Sequence, residues 1–523
     1  MSILSQQELS LVENSEKVTG GNTAHDKAER VRAYLRKKIT NRMPGAAVMV
    51  IKAGRVLLKE GFGRSNLNES TECGPDTIFD LASVSKQFTA MAILLLRDSG
   101  RRKPKGLKYY KPISTYLSPK YELPEWLGRI TVGQLLNHTS GVPDYYDIFE
   151  QSKPEDLALV FGRPPDSNVK IESLSPRSAK ADRTYGIIEP TPEQVLELLR
   201  RLEANKEKKI PSFEPSTSWK YSNVGYMLLA QIVEQISGQK FADFMKENIF
   251  QPLGMDRTFI YSKTADNQDP VIRERATSYD RGWYKYHDID YTPLNYIYGD
   301  GNVNSNLEDM YKWDQALEIM LRPQFHPGKQ PLVSARTIRE VFKSRWAQQP
   351  TNTQNINYNF GWFVGNACGL RLMWHQGSWV GFKTMIMRFS HENQRFTIII
   401  LSNNKHLKLG AIACRIANIF LGNEMKIPVP KVMSVDELRE IVKEHREKLW
   451  ESSFEDLTLE GNSLWVKTPD LEKYELVPVR KDLFYMKNYA GFDNFSYYFG
   501  RDPLAPQAGF RGAQNKRTLL LKR

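Results

Sequence analysis

The sequence predicts an α+β fold. An antiparallel sheet is built from both ends of one large domain and flanked by helices, a helical subdomain is inserted between those ends, and a small β domain follows at the C-terminus. Three observations predict it. Strand-like runs lie near residue 50 and again between Asn357 and Asn403, the stretch between them reads as helices, and beyond residue 430 one charged helix gives way to short strand-like pieces. With 41% hydrophobic and 25% charged residues among 523, the chain has ordinary globular usage, which excludes a disordered or collagen-like protein.

Taken in order, residues 1–25 form a polar N-terminal tail. Asp26 to Arg42 has the spacing of an amphipathic helix, with Val31, Tyr34, Leu35 and Ile39 on one face. AAVMVIK and RVLLKEGFG, joined around Ala53-Gly54, read as a hairpin. Val84 to Leu96 reads as a mostly buried helix ended by Gly100. Further helices are expected at Thr131 to Asn137, Thr191 to Ala204, Val224 to Ile236, Phe241 to Ile249 and Leu307 to Leu321, separated by Gly, Pro, Asn and Asp clusters. Residues 151–190, rich in Pro, Ser and charge and without a period, read as a long surface insertion. The strands NYNFGWFVG, LRLMWH, FKTMIMRFS and RFTIIILSN follow, then an apolar helix at Leu409 to Leu421. IPVPK, ending at Lys431, reads as a linker, so the domains are 26–430 and a small helix plus β domain at 431–523.

Several function classes are set aside. The net charge is +13, and Arg97 to Lys111 carries seven basic side chains, but no nucleic-acid motif accompanies them, so a solvated basic loop is the reading. No apolar run is long enough for a membrane span. The three widely spaced cysteines, Cys73, Cys368 and Cys414, exclude a disulfide framework and a CxxC metal site. With no signal-like start, the expected compartment is cytoplasmic. No metal site and no cofactor is expected: zinc spacing, HExxH, GxSxG and a complete dinucleotide glycine pattern are all missing. The oligomeric state is open.

Nucleophilic serine chemistry needs a hydroxyl, a base to take its proton and N–H donors for the oxyanion. FDLASVSKQFTAMAILLL places Ser83 at the mouth of an apolar helix and Lys86 three residues on, the S-x-x-K arrangement. Residues i and i+3 share a helix face, so the amine can reach the hydroxyl, and partial burial would lower the lysine's pKa. Other S-x-x-K matches at Ser167-Lys170, Ser237-Lys240 and Ser402-Lys405 start no long apolar helix. Taken alone, the pattern also fits an N-cap serine beside a surface lysine. WKYSNVGYMLLAQ carries Tyr221 and Asn223 before a second apolar helix. A tyrosine hydroxyl can relay protons and an Asn amide can hold a carbonyl. MWHQGSWVGF carries His375, Gln376 and Gly377 at the end of a strand. Glycine there would let substrate approach the backbone and leave the Ser378 N–H free for an oxyanion. A lone His in that place also fits a satisfied core residue.

The order S-x-x-K, Y-x-N, H-x-G resembles the serine β-lactamase-like and penicillin-binding-protein-like family of class C β-lactamases, D,D-peptidases, D-aminopeptidases and esterases. TVGQLLNHTSGVPDYY, IFQPLGMDRTF and GDGNVNSNLEDMYKWDQAL look like further segments of it, and the resemblance covers roughly residues 26 to 425. It implies Ser83 as acylated nucleophile, Lys86 as general base and Tyr221 as proton relay. It also implies Asn223 as positioner of the acyl group, His375 in the place of the KTG lysine, and the N–H groups of Ser83 and Ser378 as oxyanion hole. His138 is expected to hold a loop. The chain departs from the family pattern in H-x-G for K-T-G, in Ser216 at a usual glycine position, and in a basic loop at Arg101 to Lys108 where an acidic segment is usual. Three functions follow as expectations: a serine hydrolase acting on a small-molecule ester or amide through an acyl-enzyme, an acyltransferase to a small-molecule acceptor, or a catalytically silent scaffold.

Overall fold

Residues 23–99, 106–117, 119–161, 190–205, 210–261, 274–282, 285–290, 296–342, 357–367, 370–391, 394–421, 433–446, 456–467, 473–480, 483–486 and 497–498 are described by this computed structural model. Seven strands form the main sheet: β1 (Ala46–Lys52), β2 (Arg55–Phe62), β3 (Asn357–Asn359), β4 (Trp362–Ala367), β5 (Leu370–Trp379), β6 (Phe382–His391) and β7 (Gln394–Ser402). Their spatial order is β3-β4-β5-β6-β7-β1-β2. Every pair is antiparallel, and the N-terminal hairpin joins at the last C-terminal strand, from Ala46↔Ser402 to Lys52↔Phe396. The sheet is thus assembled from both ends of the domain.

Alternation along β1 explains the two layers. Ala47, Met49 and Ile51 face one core, while Ala46, Val48 and Val50 face the other. A strand buried on both sides reads as a continuous apolar run, and AAVMVIK is one. Among the described residues, six longer helices of the large domain accompany the sheet: α1 (Ala24–Lys38), α2 (Lys86–Ser99), α3 (Pro192–Ala204), α4 (Asn223–Ser237), α5 (Leu307–Leu321) and α6 (Leu409–Leu421). α1 starts in a capping box between Thr23 and Asp26 and buries Ala28, Val31 and Leu35 beside α6, which buries Ile412, Ala413, Ile416 and Phe420. Each Val, Leu, Ile or Phe among these contributes about 1.5–3 kcal/mol on full burial. α2, α3, α4 and α5 belong to the inserted helical part and close the opposite core.

Several elements differ from expectation. The first helix ends at Lys38, four residues short of Arg42. A 3₁₀ turn, Ala82–Ser85, precedes α2. The helix from Phe241 passes at Lys246 into a π turn that runs to Phe250. Pro154–Val160 forms a helix inside the insertion read as aperiodic, its start set by Pro at the first helical turn. β5 runs on to Trp379, so His375, Gln376 and Gly377 lie within a strand and not at its end. Residues 162–189 of the insertion, the lysine and arginine cluster at 101–105 and the IPVPK segment lie outside the described residues. Beyond them come a helix, Val435–Arg446, and a separate five-stranded antiparallel sheet running from Asp456 to Tyr498. No helix among the described residues is long and apolar enough to cross a membrane.

Candidate active site

The site begins with a forced turn. Phe79–Asp80 pairs with the strand Val303–Ser305, and the Leu81 N–H donates to the Val303 carbonyl at 2.8 Å. Ala82 then adopts φ +47°, a left-handed conformation that costs a non-glycine residue about 1–2 kcal/mol. The Asp80 carboxylate holds it there by accepting from the Ala82 N–H at 2.7 Å. That carboxyl is fully buried, and desolvation pushes its pKa up to about 6. The turn delivers Ser83, 8% exposed, to the mouth of α2, with Lys86 one helical turn on.

Gly377 explains why the turn fits. A Cβ there would sit 2.3 Å from the Leu81 carbonyl oxygen and 2.2 Å from Thr384 Oγ1. Sequence reasoning assigned this glycine to close approach by substrate; what lies against it in the structure is the turn that carries Ser83. Thr384 Oγ1 donates to the Leu81 carbonyl at 2.7 Å and ties the turn to the sheet. β4 pairs with β5 only as far as Trp374, so at Gln376–Trp379 β5 has β6 on one side and, among the described residues, no strand on the other. Ser378 is exposed on this stretch, its Oγ accepting from Lys383 Nζ at 2.6 Å.

Lys86 is 0% exposed. Its three N–H bonds meet three neutral oxygens: Asn223 Oδ1 at 2.7 Å, the Asp300 carbonyl at 2.7 Å and Ser83 Oγ at 3.3 Å. Burial pulls its pKa well below the ordinary lysine range, and the Asp300 and Asp144 carboxylates push part of the way back. Burial in turn raises the Asp300 carboxyl, which Lys86 pulls down. A lysine placed so can exist as a neutral amine beside a hydroxyl, which is what a general base requires.

Tyr221 and Asn223 arrive on the start of α4. Ser222 caps the helix, its Oγ accepting from the Gly225 N–H at 3.2 Å. The Ser222 N–H donates to His138 Nδ1 at 3.2 Å and the Lys220 N–H to the His138 carbonyl at 3.0 Å, so His138 holds this loop as expected. Asn223 donates from its backbone N–H to Asp144 Oδ1 at 2.8 Å and from Nδ2 to Asp144 Oδ2 at 3.0 Å. Its amide therefore bridges Asp144 and Lys86. The Tyr221 ring lies 4.9 Å from Lys86 Nζ. Its buried hydroxyl lies beside that of Ser83 but short of well-formed hydrogen-bond geometry, and burial holds the phenol protonated. Ser216 keeps the glycine-like geometry of its turn at φ +67°, with Oγ accepting from Gln134 Nε2 at 2.9 Å.

His375 is 1% exposed and neutral, its pKa pulled down to about 3 by burial and by Lys86. Nδ1 lies 2.7 Å from the Gln376 carbonyl and Nε2 3.0 Å from the Tyr358 hydroxyl. The structure thus gathers Ser83, Lys86, Tyr221, Asn223 and His375 around one point, with Gly377 beneath the turn and Ser378 on the adjacent strand edge. Sequence reasoning missed Asp144, Asp300, Asp80 and Tyr358. Asp144 and Asp300 stood inside quoted segments, HTSGVPDYY and GDGNVN, but a carboxylate in a loop carries no periodicity to betray it. Tyr358 was hidden as an ordinary strand residue. Among the described residues no group of His, Cys, Asp and Glu could hold a metal ion.

A serine on a strained turn, a buried lysine on the next helical turn and a tyrosine from a second helix define the S-x-x-K class of serine-hydrolase folds. A sequence model described as Beta-lactamase matches residues 28–417, and the chain belongs to that family. Penicillin-binding protein 4* of Bacillus subtilis is 30% identical over 372 residues, covering 68% of this chain and 68% of that protein. A D-aminopeptidase of Brucella anthropi is 29% identical over 276 residues, covering 53% of this chain and only 42% of the relative's length. Among solved structures, the octameric penicillin-binding protein homologue from Pyrococcus abyssi superposes with a TM-score of 0.58 at 21% identity, over 90% of this chain and 95% of that one. That likeness carries the fold.

Proposed function

We propose that the chain is a serine hydrolase that opens an ester or amide through an acyl-enzyme on Ser83. Lys86 takes the Ser83 proton as Oγ attacks the acyl carbon, and Tyr221 passes protons between Ser83, the leaving group and the deacylating water. The N–H groups of Ser83 and Ser378 receive the oxyanion, each donor contributing about 2.7–4 kcal/mol to the transition state. Asn223 fixes Lys86 against Asp144 and lines the acyl side, while His375 stands, uncharged, in the place of the KTG lysine. The observation that carries this reading is Lys86 Nζ, wholly buried, 3.3 Å from Ser83 Oγ and with only neutral oxygens as hydrogen-bond partners among the described residues. A neutral His375 offers no cation to a β-lactam carboxylate, which favours simple esters and peptides as substrates.

Mass spectrometry of the intact chain after a fluorophosphonate and, separately, a penicillin tests the reading. A single fluorophosphonate adduct on Ser83 is expected, with slow or no penicilloylation. An adduct elsewhere, or none, overturns it. Acyl transfer to a small-molecule acceptor uses the same acyl-enzyme, and a product assay with added alcohols and amines separates the two outcomes.

A further inference from the structure

Tyr358 lies on β3, is 0% exposed, and has no part in the chemistry assigned above. Its hydroxyl is 3.0 Å from His375 Nε2. The far side of the imidazole decides which way this bond runs. Nδ1 lies 2.7 Å from the Gln376 carbonyl oxygen, which can only accept, so Nδ1 carries the proton of the neutral ring. Nε2 is then an acceptor, and the Tyr358 O–H donates to it. The proton of Tyr358 is committed, and its oxygen can only accept from other neighbours.

Those neighbours are the hydroxyls of Tyr226 and Tyr221. Tyr226 already donates to the Leu136 carbonyl at 3.0 Å. Tyr221 alone keeps an uncommitted O–H. Its ring centroid is 5.9 Å from that of Tyr358 in an edge-on arrangement, and its hydroxyl lacks a well-formed partner among the described residues. His138 closes the cluster with ring centroids 4.3 Å from Tyr221 and 4.4 Å from Tyr358. Since its Nδ1 accepts from Ser222, the His138 proton is on Nε2, a buried donor with no hydrogen-bond partner among the described residues. The cluster thus holds one cation-forming group, Lys86, among two neutral imidazoles and three phenols. Hydrogen bonds in resting sites are often long and tighten when substrate binds.

Resting on the nucleophile reading of Ser83, we propose that Tyr358 is a positioning residue. Anchored on His375, it draws the Tyr221 O–H toward itself and so turns the lone pairs of Tyr221 toward Ser83. On this account the H-x-G histidine acts as an acceptor that sets the direction of the proton relay, and not as a cationic anchor for substrate.

The test uses the full chain, Tyr358→Phe, and two readouts. The first is the rate of fluorophosphonate labelling of Ser83, followed by intact mass. It should fall about tenfold or more, since small misplacements of reacting groups cost rates of this order. The second is the ¹⁵N spectrum of the His375 imidazole, assigned by its disappearance in His375→Asn. In the wild type it should remain a neutral Nδ1–H tautomer down to pH 5, and in Tyr358→Phe, deprived of its donor, it should begin to protonate at higher pH. That signature reports the Tyr358–His375 bond and the labelling rate its effect on Ser83, so a tyrosine that only fills space would move neither. Should wild-type His375 carry its proton on Nε2, or be charged at pH 5, the inference falls without any variant being made. Labelling of Tyr358→Phe within twofold of wild type, with unchanged imidazole shifts, also sinks it while leaving Ser83 as nucleophile. A wild-type Ser83 that takes no label overturns the underlying reading and the relay with it.

Discussion

Lys86 and Arg388 are both wholly buried cations, on opposite sides of the question of what burial is for. Arg388, on β6, meets a matching charge: Nε lies 2.9 Å from Asp314 Oδ1 on α5. Arg395 joins from β7, 3.2 Å from Asp314 Oδ2 and 2.8 Å from Glu318 Oε2, and Thr397 Oγ1 donates to Asp314 at 3.0 Å. The charge is paired, and the group clamps α5 to the sheet. Lys86 receives the same desolvation but is met by an amide, a peptide carbonyl and a hydroxyl, with its carboxylate neighbours acting only at longer range. Pairing with a full charge fixes a proton in place, while pairing with neutral oxygens leaves the proton able to depart. The second arrangement is how a fold makes a base from a lysine.

The contrast breaks most visibly at Ser83. Ser83→Ala should lower turnover of a nitrophenyl butyrate by at least about 10⁴-fold while the unfolding midpoint stays unchanged, as for other members of a catalytic unit. Activity that survives would put the nucleophile elsewhere and leave Lys86 as buried as Arg388 with as little chemistry. Lys86→Arg sharpens the point, because it installs at the active site the cation that does not lose its proton. Loss of acylation about as deep as for Ser83→Ala is expected in a burst assay. A folded Lys86→Arg protein with appreciable acylation would show that a removable proton is not required.

At the other cation the expected outcome is reversed. Arg388→Ala leaves Asp314 buried without its closest partner, and breaking a buried pair in this way costs about 3–5 kcal/mol of stability. Urea denaturation should register that loss, whereas turnover per folded molecule should stay within about twofold. A large catalytic defect at unchanged stability would mean that the clamp and the site are coupled.

How much of this contrast could be read beforehand differs between the two cations. The sheet was legible because its strands stand out as short apolar runs near both ends of the large domain, and Ser83, Lys86, Tyr221, Asn223 and His375 were legible because each sits in a short pattern, the first four beside the start of an apolar helix. Gly377 was singled out for substrate approach, and only the packed turn shows that its missing Cβ also makes room for Leu81. Asp144, Asp300 and Tyr358 left no trace, since their roles depend on approaches across 17 to 214 positions of chain. The Arg388 and Asp314 pair was equally silent. Local pattern reports which face a residue takes and not which residue it meets there.

Asp300 is where the pairing around Lys86 can be weakened by one atom type. Its carbonyl accepts from Nζ through the backbone and would persist in Asp300→Asn, while the carboxylate that props up the lysine's pKa would be gone. The amine must be neutral to act, so on the acid side the rate rises with pH through the pKa of Lys86. Removing a nearby negative charge disfavours the ammonium and lowers that pKa, so the acid limb of kcat/KM should move to lower pH. A shift of one unit corresponds to about tenfold on the limb, so a gain of about three- to tenfold relative to the plateau is expected below it. The plateau should fall only slightly, because the amine becomes a somewhat weaker base. Profiles of both proteins on the same ester measure this. A limb that stays in place would mean that the titrating group is not Lys86, and one that moves upward would mean that Asp300 itself must be ionised for turnover.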